Sequence, residues 1–277
     1  MGFHQPQRIA ELSVEAGNRK ANLPLVNMLV LGFLGGAFIA MGYLLDIRIV
    51  AGLPHEWGTF KSFLGAAVFP VGLILLIIAG GELLTGNMMA VSIACLAKKV
   101  KMQQLLNNWF WITISNFVGA IFIAYFFGHL IGLTGVEPYL SSTVSMAEAK
   151  IEASFWTCLI SGIGCNWLVG LAVWLSYGAE DIAGKILAIW FPIMAFVAIG
   201  FQHVVANMFV IPAAIFAGYF SWMDYIWNFI PVFIGNAIGG GIFVAMMYWI
   251  AYIGTLKPAM TEGSNLLEMK SKQKTRR

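Results

Sequence analysis

His203 is the one histidine set deep in an apolar stretch, inside GFQHVVANM at residues 200–208; His4 lies near the N-terminus, His55 in a loop and His129 near the end of an apolar run. An ionisable group in such a setting is costly to bury and marks a functional site by default, and imidazole is the side chain whose charge changes nearest physiological pH. A second stretch, GGELLTGNM at 80–88, repeats the pattern at a constant offset of 120: Gly80 aligns with Gly200, Glu82 with Gln202, Asn87 with Asn207 and Met88 with Met208. Glycines and polar groups interrupt both apolar runs. The chemistry this favours is the passage of a small monovalent anion, the conjugate base of a weak acid, neutralised at an apolar constriction by a proton from, or a hydrogen bond shared with, the imidazolium of His203. The bland alternative is a core histidine bonded to a carbonyl. Because a carboxylate facing the path would repel anions, Glu82 is expected to bond backbone N–H groups freed at the opposite interruption, with Gln202 as its counterpart. Asn87 and Asn207 are expected to bond the backbone groups freed around their own interruptions.

The elements that position these residues are membrane spans. The chain is 60% apolar and only 10% charged, against about 25% charged in soluble domains, and at roughly 20 apolar residues per crossing it reads as six spans near 25–45, 62–97, 108–130, 155–177, 186–218 and 226–253. The second and fifth are too long for one plain helix and contain the two interruptions. The offset of 120 continues through Ala94 and Ala214, Ala97 and Ala217, Asn108 and Asn228, Ile114 and Ile234, Asn116 and Asn236, and Gly119 and Gly239. Three spans per half is odd, so the second copy enters from the opposite side and the halves are inverted. Interrupted spans at matching positions of inverted halves point to a transport site at their interface. There, non-helical backbone is tolerated because it lines a cavity or is buried in protein. The half-helices that restart near Thr85 and His203 would offer free N–H groups and positive dipole ends, which suits an anion. Asn116 and Asn236 are read as either interhelical glue or as gating and pore-lining groups. Phe69, Leu73 and Phe196, before the breaks, are either hydrophobic constrictions or packing.

All but three of the 16 Lys and Arg residues fall on one side; Arg48, Lys61 and Lys150 are left for the other. The positive-inside rule therefore expects both termini in the cytoplasm. The basic tail MKSKQKTRR serves as a topology signal and anionic-lipid contact rather than a nucleic-acid site. Lys20 and Lys150 are placed to draw anions from either side, with a topology signal as the competing reading for Lys20. IAELSVEAG at 9–17 sets Ile9, Leu12 and Ala16 against acids, as in a surface amphipathic helix. No removable signal peptide is expected, so the first span would remain as an anchor. Cys95, Cys158 and Cys165 form no CxxC pair and read as packing. No metal, cofactor or enzymatic chemistry is expected. Rivals from other classes are a haem- or quinone-carrying membrane subunit, for which His129 and His203 are the only candidate axial ligands, and a scaffold without transport.

GELLTGNM, CNWLVGLAVW (165–174), GFQHVVANMF (200–209) and IGNAIGGG (234–241) make the sequence resemble the formate/nitrite transporter family over about residues 8–254. The resemblance implies an all-α integral membrane protein: six helices in an aquaporin-like inverted repeat with broken second and fifth helices, assembled as a homopentamer with a pore in each protomer. It implies small monovalent anions as cargo, formate first with protons as partner, or else nitrite, hydrosulfide, lactate or acetate. It puts the central pore histidine on His203, the loop threonine on Thr85, and the outer and inner constrictions on Phe69, Phe196, Leu73 and Leu83. Asn166 and Asn236 become the asparagines of the fourth and sixth spans, and Lys20 and Lys150 the vestibule lysines. Leu83 and Asn166 enter through the resemblance alone. Gln202 departs from the acidic residue that often precedes the histidine in formate channels, and Gly86 from a common hydroxyl residue. The expected organisation is an N-terminal segment 1–24, a channel domain 25–254 with halves 25–133 and 154–254, and a basic tail 255–277. The expected location is a bacterial-type inner membrane.

Overall fold

The computed structural model describes residues 2–254; the basic tail lies outside the described residues. Eleven principal helices follow in order: α1 (Pro6–Ala21), α2 (Leu25–Val50), α3 (Thr59–Val68), α4 (Val71–Ala79), α5 (Leu84–Leu96), α6 (Met102–Phe122), α7 (Tyr139–Ile151), α8 (Phe155–Gly178), α9 (Ile182–Ile199), α10 (Val204–Phe216) and α11 (Trp222–Ile238). Both α6 and α11 run on as π-helical turns, at Ile123–Leu130 and Gly239–Met246. Six helical stretches are long and apolar enough to cross a membrane, and α5 and α10 are two shorter apolar helices.

The second and fifth spans are each split in two. α4 stops at Gly80, whose φ of 102° is in the region that favours glycine, and α5 starts four residues later; α9 stops at Gly200, with φ 87°, ahead of α10. Only glycine adopts these angles without strain, so the interruptions visible in the sequence are true breaks. The second span also bends at Phe69–Pro70, between α3 and α4, where proline has no N–H to give the helix.

The two halves use matching contacts, first span against third. α2 crosses α6 and α8 crosses α11 at bare backbone: a Cβ on Gly119 would run into the Phe33 carbonyl, and one on Gly239 into the Ile163 carbonyl. The repeat also takes in the helices that precede each set of spans, so it begins earlier than 25 and 154. Asn108 Nδ2 donates to the Lys20 carbonyl at the end of α1 (3.0 Å), and Asn228 Nδ2 to the Lys150 carbonyl at the end of α7 (2.9 Å). α1 and α7, three spans apart, therefore lie on opposite faces.

Candidate functional site

The two breaks meet through one side-chain contact. Thr85, in the first turn of α5, and His203, the residue that caps α10, are both buried, and Thr85 Oγ1 lies 2.8 Å from His203 Nε2. The backbone N–H of Ala206 donates to His203 Nδ1 at 3.0 Å. With Nδ1 acting as an acceptor, a neutral ring carries its proton on Nε2 and donates it to Thr85. The expected imidazolium is therefore not what this arrangement supports: protonating Nδ1 would turn the cap's acceptor into a donor facing another donor. The same bonds occupy both ring nitrogens, so the ring has no free lone pair for a haem iron.

Below the ring is an apolar chamber. Phe69, Leu73, Leu83 and Phe196, expected as separate outer and inner constrictions, all border one void of about 10 Å³ together with His203. That is about the smallest space that holds one water. The Phe69 and Phe196 rings meet edge to face with centroids 5.7 Å apart, and Phe196 lies 5.7 Å from the His203 ring. Ile39, Val169 and Ile193 complete the wall; sequence reasoning missed them. Ile39 and Val169 are related by an offset of 130, as are Lys20 and Lys150, because the first half has about ten more residues between its first and second spans. Aligning the first and fourth spans separately would have paired them. On the α7 face the ring opens into a cavity of about 630 Å³ lined by Tyr43, Asp46, Lys150, Phe69, Phe196 and His203 among others.

Of the two readings open for Asn116 and Asn236, the bonds are those of interhelical glue, while the other asparagines depart from their expected roles. Asn116 and Asn236 line neither space; they clamp the breaks. Asn116 Oδ1 accepts from Leu84 N–H (2.9 Å) while its Nδ2 donates to the carbonyls of Glu82 (2.8 Å) and Gly32 (2.7 Å). Asn236 Oδ1 accepts from Val204 N–H (2.9 Å) and its Nδ2 donates to the carbonyls of Gln202 (3.0 Å) and Gly162 (2.8 Å). Buried backbone groups left without a helix partner must be bonded, and an amide carries both a donor and an acceptor. Asn166, implied as a pore residue, also lines neither space: its Nδ2 bonds the carbonyls of Asn236 (2.7 Å) and Thr85 (3.2 Å). Asn87 and Asn207, expected to bond freed backbone, instead bond side chains. Asn87 Nδ2 donates to Glu82 Oε2 (2.8 Å) and Asn108 Oδ1 (2.9 Å); Asn207 Nδ2 donates to Gln202 Oε1 (2.9 Å) and Asn228 Oδ1 (2.8 Å).

Glu82 likewise does not reach across to the opposite break. It pairs with Lys20 Nζ at 2.7 Å. Burial, which acts to lower the Lys20 ammonium, is outweighed by the Glu82 carboxylate, Tyr177 and the Glu82 hydrogen bond together, so Lys20 is held above the ordinary lysine range. Lys20 is thus a neutralised partner rather than a free anion attractor. Gln202 has no charge to offer Lys150; its Oε1 accepts from Asn207 and Asn228, and its Nε2 lies 3.3 Å from Cys158 Sγ. Among the described residues Lys150 has no ion pair.

Replacing Asn236 by alanine should lower stability strongly, since two buried backbone groups at the break, Val204 N–H and the Gln202 carbonyl, lose their partner at about 1–3 kcal/mol each. Thermal unfolding in detergent measures it, and an unchanged midpoint would contradict the clamp.

Comparison with known proteins agrees in extent and kind. The family profile described as formate/nitrite transporter matches residues 7–250. The chain is 64% identical to the uncharacterized transporter YrhG of Bacillus subtilis, over 91% of this chain and 95% of the relative. It is 60% identical to the formate channel BtFdhC of Bacillus thuringiensis, over 91% and 97%. A solved structure described as a pentameric formate channel with formate bound superposes with a TM-score of 0.69 at 28% identity, covering 83% of this chain and 98% of the other.

Proposed function

The chain belongs to the formate/nitrite transporter family, and on that premise we propose that it is a formate channel of a bacterial inner membrane, with both termini cytoplasmic and five copies assembled around separate pores. The observation that carries the reading is the position of His203, which borders both a wide vestibule and an apolar chamber and bonds Thr85 of the other broken span. An anion leaving the vestibule sheds water, which is unfavourable unless donors replace it. The hydroxyl of Thr85, whose oxygen accepts the Nε2–H of His203, is such a donor, and the first turn of α5 adds the positive end of its dipole, with Asn116 Oδ1 holding its Leu84 N–H. His203 acts here as a neutral hydrogen-bond donor. Proton transfer from the ring would first require Nδ1 to release Ala206. The apolar outward-facing residues of α6, among them Phe110, Ile114 and Val118, suit lipid or neighbouring copies.

A chamber this small favours formate over larger carboxylates; one extra methyl group in a tight site is worth about 10–200-fold. Stopped-flow uptake in proteoliposomes with formate, nitrite, hydrosulfide, acetate and lactate between pH 5 and 8 tests the reading. Formate should exceed acetate and lactate by at least about ten-fold. Comparable rates for lactate, preference for nitrite or hydrosulfide, or silent vesicles would overturn it.

A further inference from the structure

The vestibule contains a carboxylate that the proposed pathway does not use. Asp46 sits near the end of α2, is 5% exposed, and lines the same cavity as Lys150 and His203. No hydrogen bond or ion pair from a described residue engages it. Its Oδ1 rests against the bare Cα of Gly65 in α3, where any Cβ would collide with it, so the packing leaves room for a carboxylate whose free side is the cavity.

The inverted repeat shows why its position matters. On the α1 face the half-buried lysine, Lys20, is matched by Glu82 in a 2.7 Å ion pair. On the α7 face the residue equivalent to Glu82 is the neutral Gln202, so Lys150 has no carboxylate from that element. Asp46 comes instead from α2, while its own counterpart at the 130 offset, Ser176, is turned onto the Val173 carbonyl at 2.7 Å. The acid has moved from the lysine's bonding shell to the wall of its vestibule. Burial holds the Lys150 ammonium below the ordinary lysine range, and the Asp46 charge is among the groups opposing that shift.

We propose that Asp46 is the acidic counterweight to Lys150 in this vestibule: ionised, it opposes anion entry from the α7 face, and protonated, it leaves the Lys150 ammonium to act alone, so entry rises with acidity on that side. The proposal rests on the anion-channel reading above. A charge in a cavity walled by protein acts over the whole space with little screening. The other ionisable groups facing Asp46 are Glu137 just before α7, Lys61 on α3, His55 in the turn ahead of α3, His203 at the start of α10, and Tyr43 on its own helix. His55 and Glu137 are exposed at the mouth, and Lys61 is tied to the Leu53 carbonyl at 3.3 Å. Arg48, two residues along the same helix and so on another face of it, is held over the Tyr139 ring at 3.3 Å and on the Leu133 carbonyl.

The test is formate uptake into proteoliposomes by the wild type, Asp46→Asn and Asp46→Ser, the second borrowing the residue of the other half, at equal internal and external pH from 5 to 8. The variant-to-wild-type flux ratio should be about five-fold higher at pH 8 than at pH 5 in both variants. A ratio that does not change with pH, or one that falls as pH rises, would overturn the proposal. So would failure of both variants to assemble, which would make the carboxyl a packing element of α2 and α3. A wild type that passes no anion at any pH would instead overturn the channel reading itself.

Discussion

Replacing His203 by asparagine should leave a folded, assembled protein that passes about a hundredth of the wild-type formate flux. Asparagine is among the best residues for capping a helix, so its Oδ1 can keep the bond to Ala206 N–H that His203 Nδ1 now makes at 3.0 Å. What it lacks is the reach of Nε2–H to Thr85, the bond that leaves the Thr85 hydroxyl to donate to an anion. A hydrogen bond to a charged group is worth up to about 3 kcal/mol, which as a barrier is roughly a hundred-fold. His203→Phe should lose flux as completely and, because it also loses the cap, about 1 kcal/mol of stability. Uptake rates together with size-exclusion and thermal profiles separate the two effects. Unchanged uptake in either variant would remove His203 from the pathway.

Leu73→Ala should do the opposite. Leu73 is 1% exposed and borders the chamber of about 10 Å³ with Leu83, Phe69 and Phe196, so its side chain sets how much room the path has at its narrowest. Removing it should raise formate flux by about three- to ten-fold and admit acetate and lactate, by the same steric arithmetic that excludes them from the wild type. Stability should fall by about 2–5 kcal/mol, the usual cost of a buried Leu→Ala change. If the surrounding side chains collapse into the space, the thermal loss will be at the small end. A fall in flux with normal folding would count against the chamber as the barrier.

Much of this was legible in the chain. Apolar runs of membrane length are local, and so are the glycines that break two of them, because the φ of Gly80 and Gly200 depends on the lack of a side chain at those positions. The offset of 120 followed from residue identity alone, and with it the inverted halves. His203 stood out because no other histidine lies so deep in an apolar stretch.

The roles within the site were settled elsewhere. Asn87, Asn116, Asn166, Asn207 and Asn236 have the same amide, and nothing in their local context ranks which will clamp a break, which will hold a neighbouring side chain and which will join two helices. The answer depends on how closely α6 and α11 approach the restarts of α5 and α10, set by small residues far away in sequence such as Gly119 and Gly239. The same holds for charge: Lys20 and Lys150 look alike in the sequence, yet only the fold brings Glu82 to one and leaves Asp46 in the cavity of the other. Which residues face membrane and which break a helix is written in single positions and short patterns. Which donor meets which acceptor is a property of distances between segments, and those exist only once the two halves have packed.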